Sequence, residues 1–323
     1  MKKAFITGIT GQDGSYLAEY LLSIGYKVYG ITRRNSVVEN QQSRVDHIKD
    51  KINVYYGDLL DPIGLSKILK DIKPDEIYNL AAQSHVRISF DIPDFTLKTN
   101  GLAVLNLLDI IKDNHKESKF YQACSSEMFG SSVDDDGFQR ETTRMTPVSP
   151  YGCSKVLAYN LVKNYRHSYN LHLTNGILFN HESPRRGSNF VTSKVVKTAC
   201  EIKLGLKDKL IMGNLESFRD WGHSKDYVKA MYSICNHSTA DDFVVATGET
   251  RSIRNLCEIV FSTLGLDYEK YVTTDKSYLR PQELNYLKGD PTKFHKTFQW
   301  KREYTFNSMV DEMVNFWMNE LAS

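Results

Sequence analysis

What this 323-residue sequence lacks already narrows the field. Its five cysteines (Cys124, Cys153, Cys200, Cys235 and Cys257) are odd in number, scattered, and form no C-x-x-C pair. That argues against a disulfide framework and a structural zinc site, and it suits a reducing, cytoplasmic compartment. Charge of one sign is missing too. A formal net charge of +2 gives no general attraction to nucleic acid or to a membrane surface, so an anionic ligand has to be held by a local basic site. No apolar run approaches the length of a membrane span. Lys2 and Lys3 before Ala4-Phe5-Ile6 resemble the start of a signal peptide, but the run stops at Thr7-Gly8 and reads as a first β-strand instead. There is no internal repeat and no low-complexity linker. His181 and His223 do not stand in metal-ligand spacing, and no metal is expected. With 41% hydrophobic and 25% charged residues, the chain is long enough for a large core and one or two domains.

The N-terminal half alternates strands and helices. After Ala4-Phe5-Ile6 comes Gly8-Ile9-Thr10-Gly11-Gln12-Asp13-Gly14, then a helical pattern of Leu17, Tyr20, Leu21 and Ile24 stopped by Gly25. Strand, glycine turn, helix is the context in which backbone N–H groups cradle a pyrophosphate at a helix N-terminus. A second strand, Lys27 to Ile31, runs into Thr32-Arg33-Arg34-Asn35-Ser36, where NAD-binding folds often carry an acidic residue. Two guanidiniums there suit a 2′-phosphate, hence NADP; a solvated basic turn is the other reading. Ile52 to Tyr56 is a third strand. Asp58 beyond it either accepts from an adenine amino group or caps the next helix. Glu76 to Leu80 is a fourth strand, and the small residues Ala81 and Ala82 at its end permit close approach of a cofactor. Leu97 to Ile111 reads as one long helix, Phe120 to Ala123 as a fifth strand and Leu171 to Phe179 as a sixth. The pattern predicts an α/β, Rossmann-type doubly wound parallel sheet, with ligands at the carboxyl ends of its strands. The expected division is residues 1–180 for cofactor binding and residues 181–323 for a smaller α/β substrate domain, with segments near 219–250 crossing back to the first. In that second half, Asn189 to Gly205, Tyr227 to Cys235, Ile253 to Leu264 and Thr305 to Leu321 read as helices.

The chemistry centres on Tyr151 and Lys155. Four residues apart, they share a helical face about 6 Å apart along the axis. A Lys ammonium beside a phenol favours the phenolate, so a lowered Tyr151 pKa and a base for a sugar or alcohol hydroxyl are expected. Taken alone, Tyr-x-x-x-Lys is an ordinary amphipathic pattern. Its weight comes from the strand that ends at Cys124-Ser125-Ser126-Glu127 just before it.

The order Gly8-x-x-Gly11-x-x-Gly14, a Ser beside a strand end, then Tyr-x-x-x-Lys resembles the extended short-chain dehydrogenase/reductase superfamily. GITGQDGSYLAEYL, YNLAAQSHV, SSEMFG, GILFNHESPRRG, RDWGHSKDYV and RPQEL resemble the GDP-mannose 4,6-dehydratase family within it. The resemblance implies NADP held by Gly8 to Gly14, Arg33 to Ser36, Asp58, Leu59, Leu80, Ala81, Ala82, Gln83, Ser84, Tyr151, Lys155, His181 and Arg186. It implies a nucleotide sugar, GDP-mannose, held by Ser84, Ser125, Glu127, Asn180, Arg219, Arg280 and Glu283. It also implies a homodimer or homotetramer. Three positions depart from the family pattern: Ser125 stands where Thr is usual, Phe95 where Tyr is usual, and Leu266 to Tyr278 is shorter.

The reaction so implied is loss of water from a hexose without net redox change. Tyr151 and Lys155 would serve C4, Ser125 would hydrogen-bond the 4-oxygen, and Glu127 would work at C5 and C6. Two residues apart, Ser125 and Glu127 point to one side if the strand stays extended. A nucleotide-sugar 4-epimerase or reductase needs the same Ser, Tyr and Lys without the extra carboxylate. A non-catalytic NADP-binding regulator would not need Ser125, Glu127, Tyr151 and Lys155 all present.

Overall fold

A computed structural model describes residues 1–34, 44–278 and 282–322; Asn35, Ser36 and Arg280 lie outside them. The first strand, β1 (Lys3–Thr7), turns Phe5 to one face of the sheet and Ala4 and Ile6 to the other, as strand geometry requires. The chain continues through α1 (Gln12–Ser23), β2 (Lys27–Thr32), β3 (Ile52–Tyr56) and α2 (Pro62–Ile72) to β4 (Glu76–Asn79). The helix α2 begins where the Asp61 carboxylate accepts from Gly64 N at 3.0 Å, with Pro62 at its first position, and stops at left-handed Lys73.

Next come α3 (Val86–Asp91), α4 (Pro93–Leu97) and α5 (Ala103–Asn114). The single helix expected over Leu97 to Ile111 is interrupted by a π turn at Lys98–Leu102. The wider turn aims Asn100 inward. Its side chain accepts from Gln83 N and donates to Gln83 O, both at 2.9 Å, and donates to Ser154 Oγ at 3.1 Å.

After β5 (Lys119–Ser125) the chain makes a single 3₁₀ turn at Ser126–Met128 and later enters α6 (Pro150–Tyr169). Ser149 caps α6 by accepting from Gly152 N at 3.0 Å, and left-handed Asn170 ends it. Then follow β6 (Leu173–Leu178), β7 (Asn180–Glu182), α7 (Val191–Lys203), β8 (Leu210–Met212), β9 (Phe218–Arg219), β10 (Trp221–His223), α8 (Ser224–Asn236) and β11 (Asp242–Val245). The last part holds β12 (Arg251–Ser252), α9 (Ile253–Thr263), α10 (Tyr268–Tyr271), β13 (Val272–Thr274), α11 (Thr292–Phe298) and α12 (Phe306–Ala322).

Among the described residues, seven strands form one parallel sheet in the order β11-β6-β5-β4-β1-β2-β3. One face packs on α1 and α8 through Leu17, Leu21, Tyr227 and Met231. The other packs on α2, α5 and α6 through Leu65, Leu107, Ala158 and Val162. Each such fully buried Leu, Val or Met side chain contributes roughly 1.5–3 kcal/mol of transfer free energy. The chain runs outward from β1 in both directions, so the β1 and β4 ends flank a topological switch point, where such sheets bind ligands.

A second lobe packs α7, α9 and α12 around Val196, Val260, Phe261 and Met313, with β8 and β13 paired beside them. Its last helix is fastened to the sheet side by charge. His223 takes the Lys225 N–H on Nδ1 at 3.0 Å, so its Nε2 proton goes to Glu312 at 2.6 Å. Lys225 Nζ reaches the other Glu312 oxygen at 2.8 Å, and Tyr304 stacks on His223 at 3.8 Å.

Candidate functional site

Two adjoining cavities of about 450 Å³ each open at the carboxyl ends of the strands. The first is built around the glycine turn. Gly8 has φ +72°, and a Cβ there would lie 2.9 Å from Ala81 N. A Cβ on Gly14 would lie 2.1 Å from Gly8 O. Neither position accepts a side chain, which lets the turn fold flat against the end of β4. Gly11 gives α1 no side-chain cap, so the first N–H groups of that helix face the cavity wall. On the β4 side, Thr7 Oγ1 accepts from Leu80 N and Ala81 N at 3.1 and 3.0 Å and fixes the strand end. This shape suits a dinucleotide with its pyrophosphate at the helix start.

Gly8, Thr10, Gly11, Gln12, Asp13, Gly14, Arg33, Asp58, Leu59, Leu80, Ala81, Ala82, Gln83, Ser84 and Arg186 line this cavity. Ile9 does not, because its side chain is buried in the core beneath Gly30. Arg34 is exposed and is not among the lining residues. Of the two readings of Asp58, the helix cap falls to Asp61, while Asp58 accepts from Leu60 N at 2.9 Å at the cavity edge. Two lining arginines were not assigned from the sequence. These are Arg185 and Arg44, and nothing in the local pattern marks either one as a cofactor contact.

Asp13 and His181 join the turn to β7. Burial alone would raise Asp13 and lower His181, but the contact of 2.8 Å between Oδ2 and Nε2 overrides both. Asp13 is held below the usual carboxylate range and His181 above the usual imidazole range. Because His181 Nδ1 donates to Phe179 O at 2.7 Å, both ring nitrogens are donors, as in an imidazolium.

The second cavity brings together Ser84, Ser125, Glu127, Tyr151, Lys155, Asn180, His181, Arg186, Arg219 and Glu283. Asp13, Ser84 and Arg186 line both cavities, so the two are continuous there. Arg87, Asn189, Lys194 and Tyr278 also line the second cavity and were missed, each lying in a stretch with no distinctive spacing. Tyr151 and Lys155 share the inner face of α6, where both are buried. The expected lowering of the phenol is not what the protein's own groups produce. Burial pushes Tyr151 up to about 12, the Glu127 charge adds to that, and a hydrogen bond with Ser125 opposes it. Lys155 Nζ donates to Ala123 O at 2.8 Å, stands 5.8 Å from the Tyr151 ring centre, and is lowered by burial.

Ser125 and Glu127 meet by a different geometry from the extended strand expected. Because β5 ends at Ser125 and a 3₁₀ turn follows, Glu127 N donates to Ser125 Oγ at 3.2 Å. Arg219 is buried and donates to Phe218 O at 2.8 Å. Its neighbour Asp220 is pushed up to about 6 by burial, although Thr247 and Gly248 donate to its carboxylate. Among the described residues no group of His, Cys, Asp or Glu is arranged to hold a metal ion, and no helix is long and apolar enough to cross a membrane.

The comparisons agree with this geometry. The fold is shared with solved structures of low sequence identity. One is a dTDP-glucose 4,6-dehydratase from Bacillus anthracis in complex with NAD, with a TM-score of 0.85 and 21% identity, covering 100% of this chain and 98% of that one. Another is a UDP-glucose 4-epimerase from Thermotoga maritima, with a TM-score of 0.86 and 22% identity, covering 99% of both chains. Sequence similarity is much higher to curated GDP-mannose 4,6-dehydratases. It is 46% to one from Arabidopsis thaliana, covering 97% of this chain and 89% of the relative, and 45% to one from Homo sapiens, covering 97% and 90%. A family model described as GDP-mannose 4,6 dehydratase matches residues 5–313, and the chain belongs to that family.

Proposed function

We propose that this protein is a hydro-lyase that converts GDP-D-mannose to GDP-4-dehydro-6-deoxy-D-mannose. Beyond family membership, one observation carries the reading: a carboxylate, Glu127, shares a cavity with Ser125, Tyr151 and Lys155, and that cavity opens onto the glycine-lined one. A nicotinamide cofactor held by the glycine turn and the end of β4 would supply the hydride acceptor and donor, so no external reductant would be consumed. NADP is our choice over NAD, because Arg33 lines the cavity just past β2, where an acidic residue would read a free ribose hydroxyl.

The chain's own groups manage the protons. Tyr151 Oη takes the proton of the sugar 4-hydroxyl as C4 is oxidised. Ser125 Oγ accepts from Glu127 N and gives its proton to Tyr151, which favours the phenolate; turned to the 4-oxygen of a bound sugar, the same hydroxyl polarises it. The resulting ketone acidifies C5–H. Glu127 removes that proton and passes one to the 6-oxygen, which leaves as water; the C5–C6 double bond so formed would take the stored hydride back at C6 and a proton, exchanged with solvent, at C5. Arg219 and Lys194 give the second cavity the positive charge that a sugar diphosphate requires.

The apolar side chains of Ile88, Ile92, Leu97, Leu102 and Leu157 are all exposed where α3, α4 and the π turn pack on α6. We read this face as the seam of a homodimer, on which a tetramer could be built. An active monomer by light scattering at micromolar concentration would reject that assembly. For the reaction, GDP-mannose carrying deuterium at C4 should yield a product with deuterium at C6, with NADP needed only catalytically. Stoichiometric cofactor reduction, or a hexose inverted at C4, would reject the dehydratase reading.

A further inference from the structure

Among the described residues, Arg44 is an arginine with no carboxylate partner. It lines the first cavity, its Nε donates to Arg185 O at 2.7 Å, and its Nη1 reaches Thr10 O at 3.5 Å. The neighbouring arginines are compensated: Arg185 meets Glu19 at 2.6 Å and Arg186 meets Glu182 at 3.0 Å. Among the described residues no carboxylate reaches the Arg44 guanidinium. Partial burial and the charges of Arg185 and Arg186 lower its pKa, so it is held where a like-charged group is disfavoured. A desolvated cation kept beside two others by backbone carbonyls is the arrangement an arriving anion stabilises.

The position of Arg44 names the anion. Thr10 lies between Gly8 and Gly11, and Thr32 and Arg33 at the end of β2 line the same cavity. In a doubly wound sheet, the space between the glycine turn and the end of the second strand receives the adenosine ribose, and an arginine there receives its 2′-phosphate. Arg34 is exposed and not among the residues lining this space. We infer that Arg44, rather than Arg34, is the second guanidinium beside Arg33 that selects the 2′-phosphate of NADP. This rests on the cofactor reading above. Arg44 has five N–H donors, and the two carbonyl contacts use Nε and one hydrogen of Nη1, which leaves Nη2 to engage phosphate oxygens.

Titration calorimetry of the full chain with NADP⁺, NAD⁺ and 2′,5′-ADP, without sugar, tests the assignment. In Arg44→Met the Kd for NADP⁺ and for 2′,5′-ADP should rise about tenfold or more, the loss of one charge-assisted hydrogen bond, while NAD⁺ binding stays within about twofold. Arg44→Lys should recover part of the NADP⁺ affinity, and Arg34→Ala should leave it within about twofold. If Arg44→Met is not stably folded by thermal unfolding, the Lys variant carries the test, with a smaller loss confined to the 2′-phosphorylated ligands. Equal weakening of NADP⁺ and NAD⁺ would overturn the assignment and give Arg44 to the pyrophosphate. Unchanged NADP⁺ affinity in Arg44→Met would overturn it too, with the NADP reading intact. Equal affinities for the two cofactors in the parent protein would instead overturn the NADP reading and this inference together.

Discussion

If Tyr151 and Glu127 divide the proton work as proposed, substitutions should separate them. Tyr151→Phe removes the oxygen assigned to the 4-hydroxyl proton, so kcat should fall by about 10²–10⁴ with the cofactor left oxidised. Glu127→Gln keeps Tyr151 working but removes the group that serves C5 and C6. Dehydration should stall while the absorbance of reduced nicotinamide builds up; equal loss of both steps would contradict the division. The phenol, pushed to about 12 by burial, also sets a pH dependence. A base must be deprotonated to act, so turnover limited by the first proton transfer should climb between about pH 7 and 9. A flat profile there would mean that another charge brings the phenol down in the working complex. These residues are legible in the sequence because their roles come from local spacing: four residues on a helix, glycines after a strand. The role proposed for Arg44 is not, because it arises only where Thr10, Arg44 and Arg185, far apart in sequence, meet in the fold.

Among the elements, the strands of the large sheet are legible because each is a short apolar run ending in small or polar residues. The π turn is not. Thr99, Asn100 and Gly101 read as helix interior, and only Asn100 contacting Gln83 and Ser154 reveals the wider turn. Nor is the fastening of α12 legible, since His223 and Glu312 are far apart in sequence. That fastening has its own signature in pH. The hydrogen bond from His223, helped by Lys225, holds Glu312 down to about 2. A carboxylate lowered on folding stabilises the protein above its unfolded pKa, and the contribution fades as pH falls from there toward the folded value. The stability gap between the parent and Glu312→Gln should therefore be full near pH 6 and shrink below about pH 4.5, measured by denaturant unfolding. A gap that widens on acidification would contradict the assignment.

The whole molecule resists division at the point where the sequence pattern changes. Although regular alternation fades after Phe179, α8 covers one face of the sheet against α1, and β11 completes its edge beside β6. Asn236 at the end of α8 donates to Glu76, a fully buried carboxylate at the foot of β4, at 3.1 Å. A fragment of residues 1–180 would expose Leu17, Leu21 and one side of β6, so we expect it to be insoluble or to unfold without cooperativity. A soluble fragment with a sharp thermal transition would show that the first lobe stands alone.

The pairing of β11 with β6 also has a meaning in time. A ribosome delivers β6 well before β11, with β7 to α8 made in between. At about 5–20 residues per second, a strand buried along its whole length in the finished protein stays an open edge for several seconds in every round of translation. The nascent chain is most exposed to mispairing in that interval, before the seventh strand emerges to close the sheet.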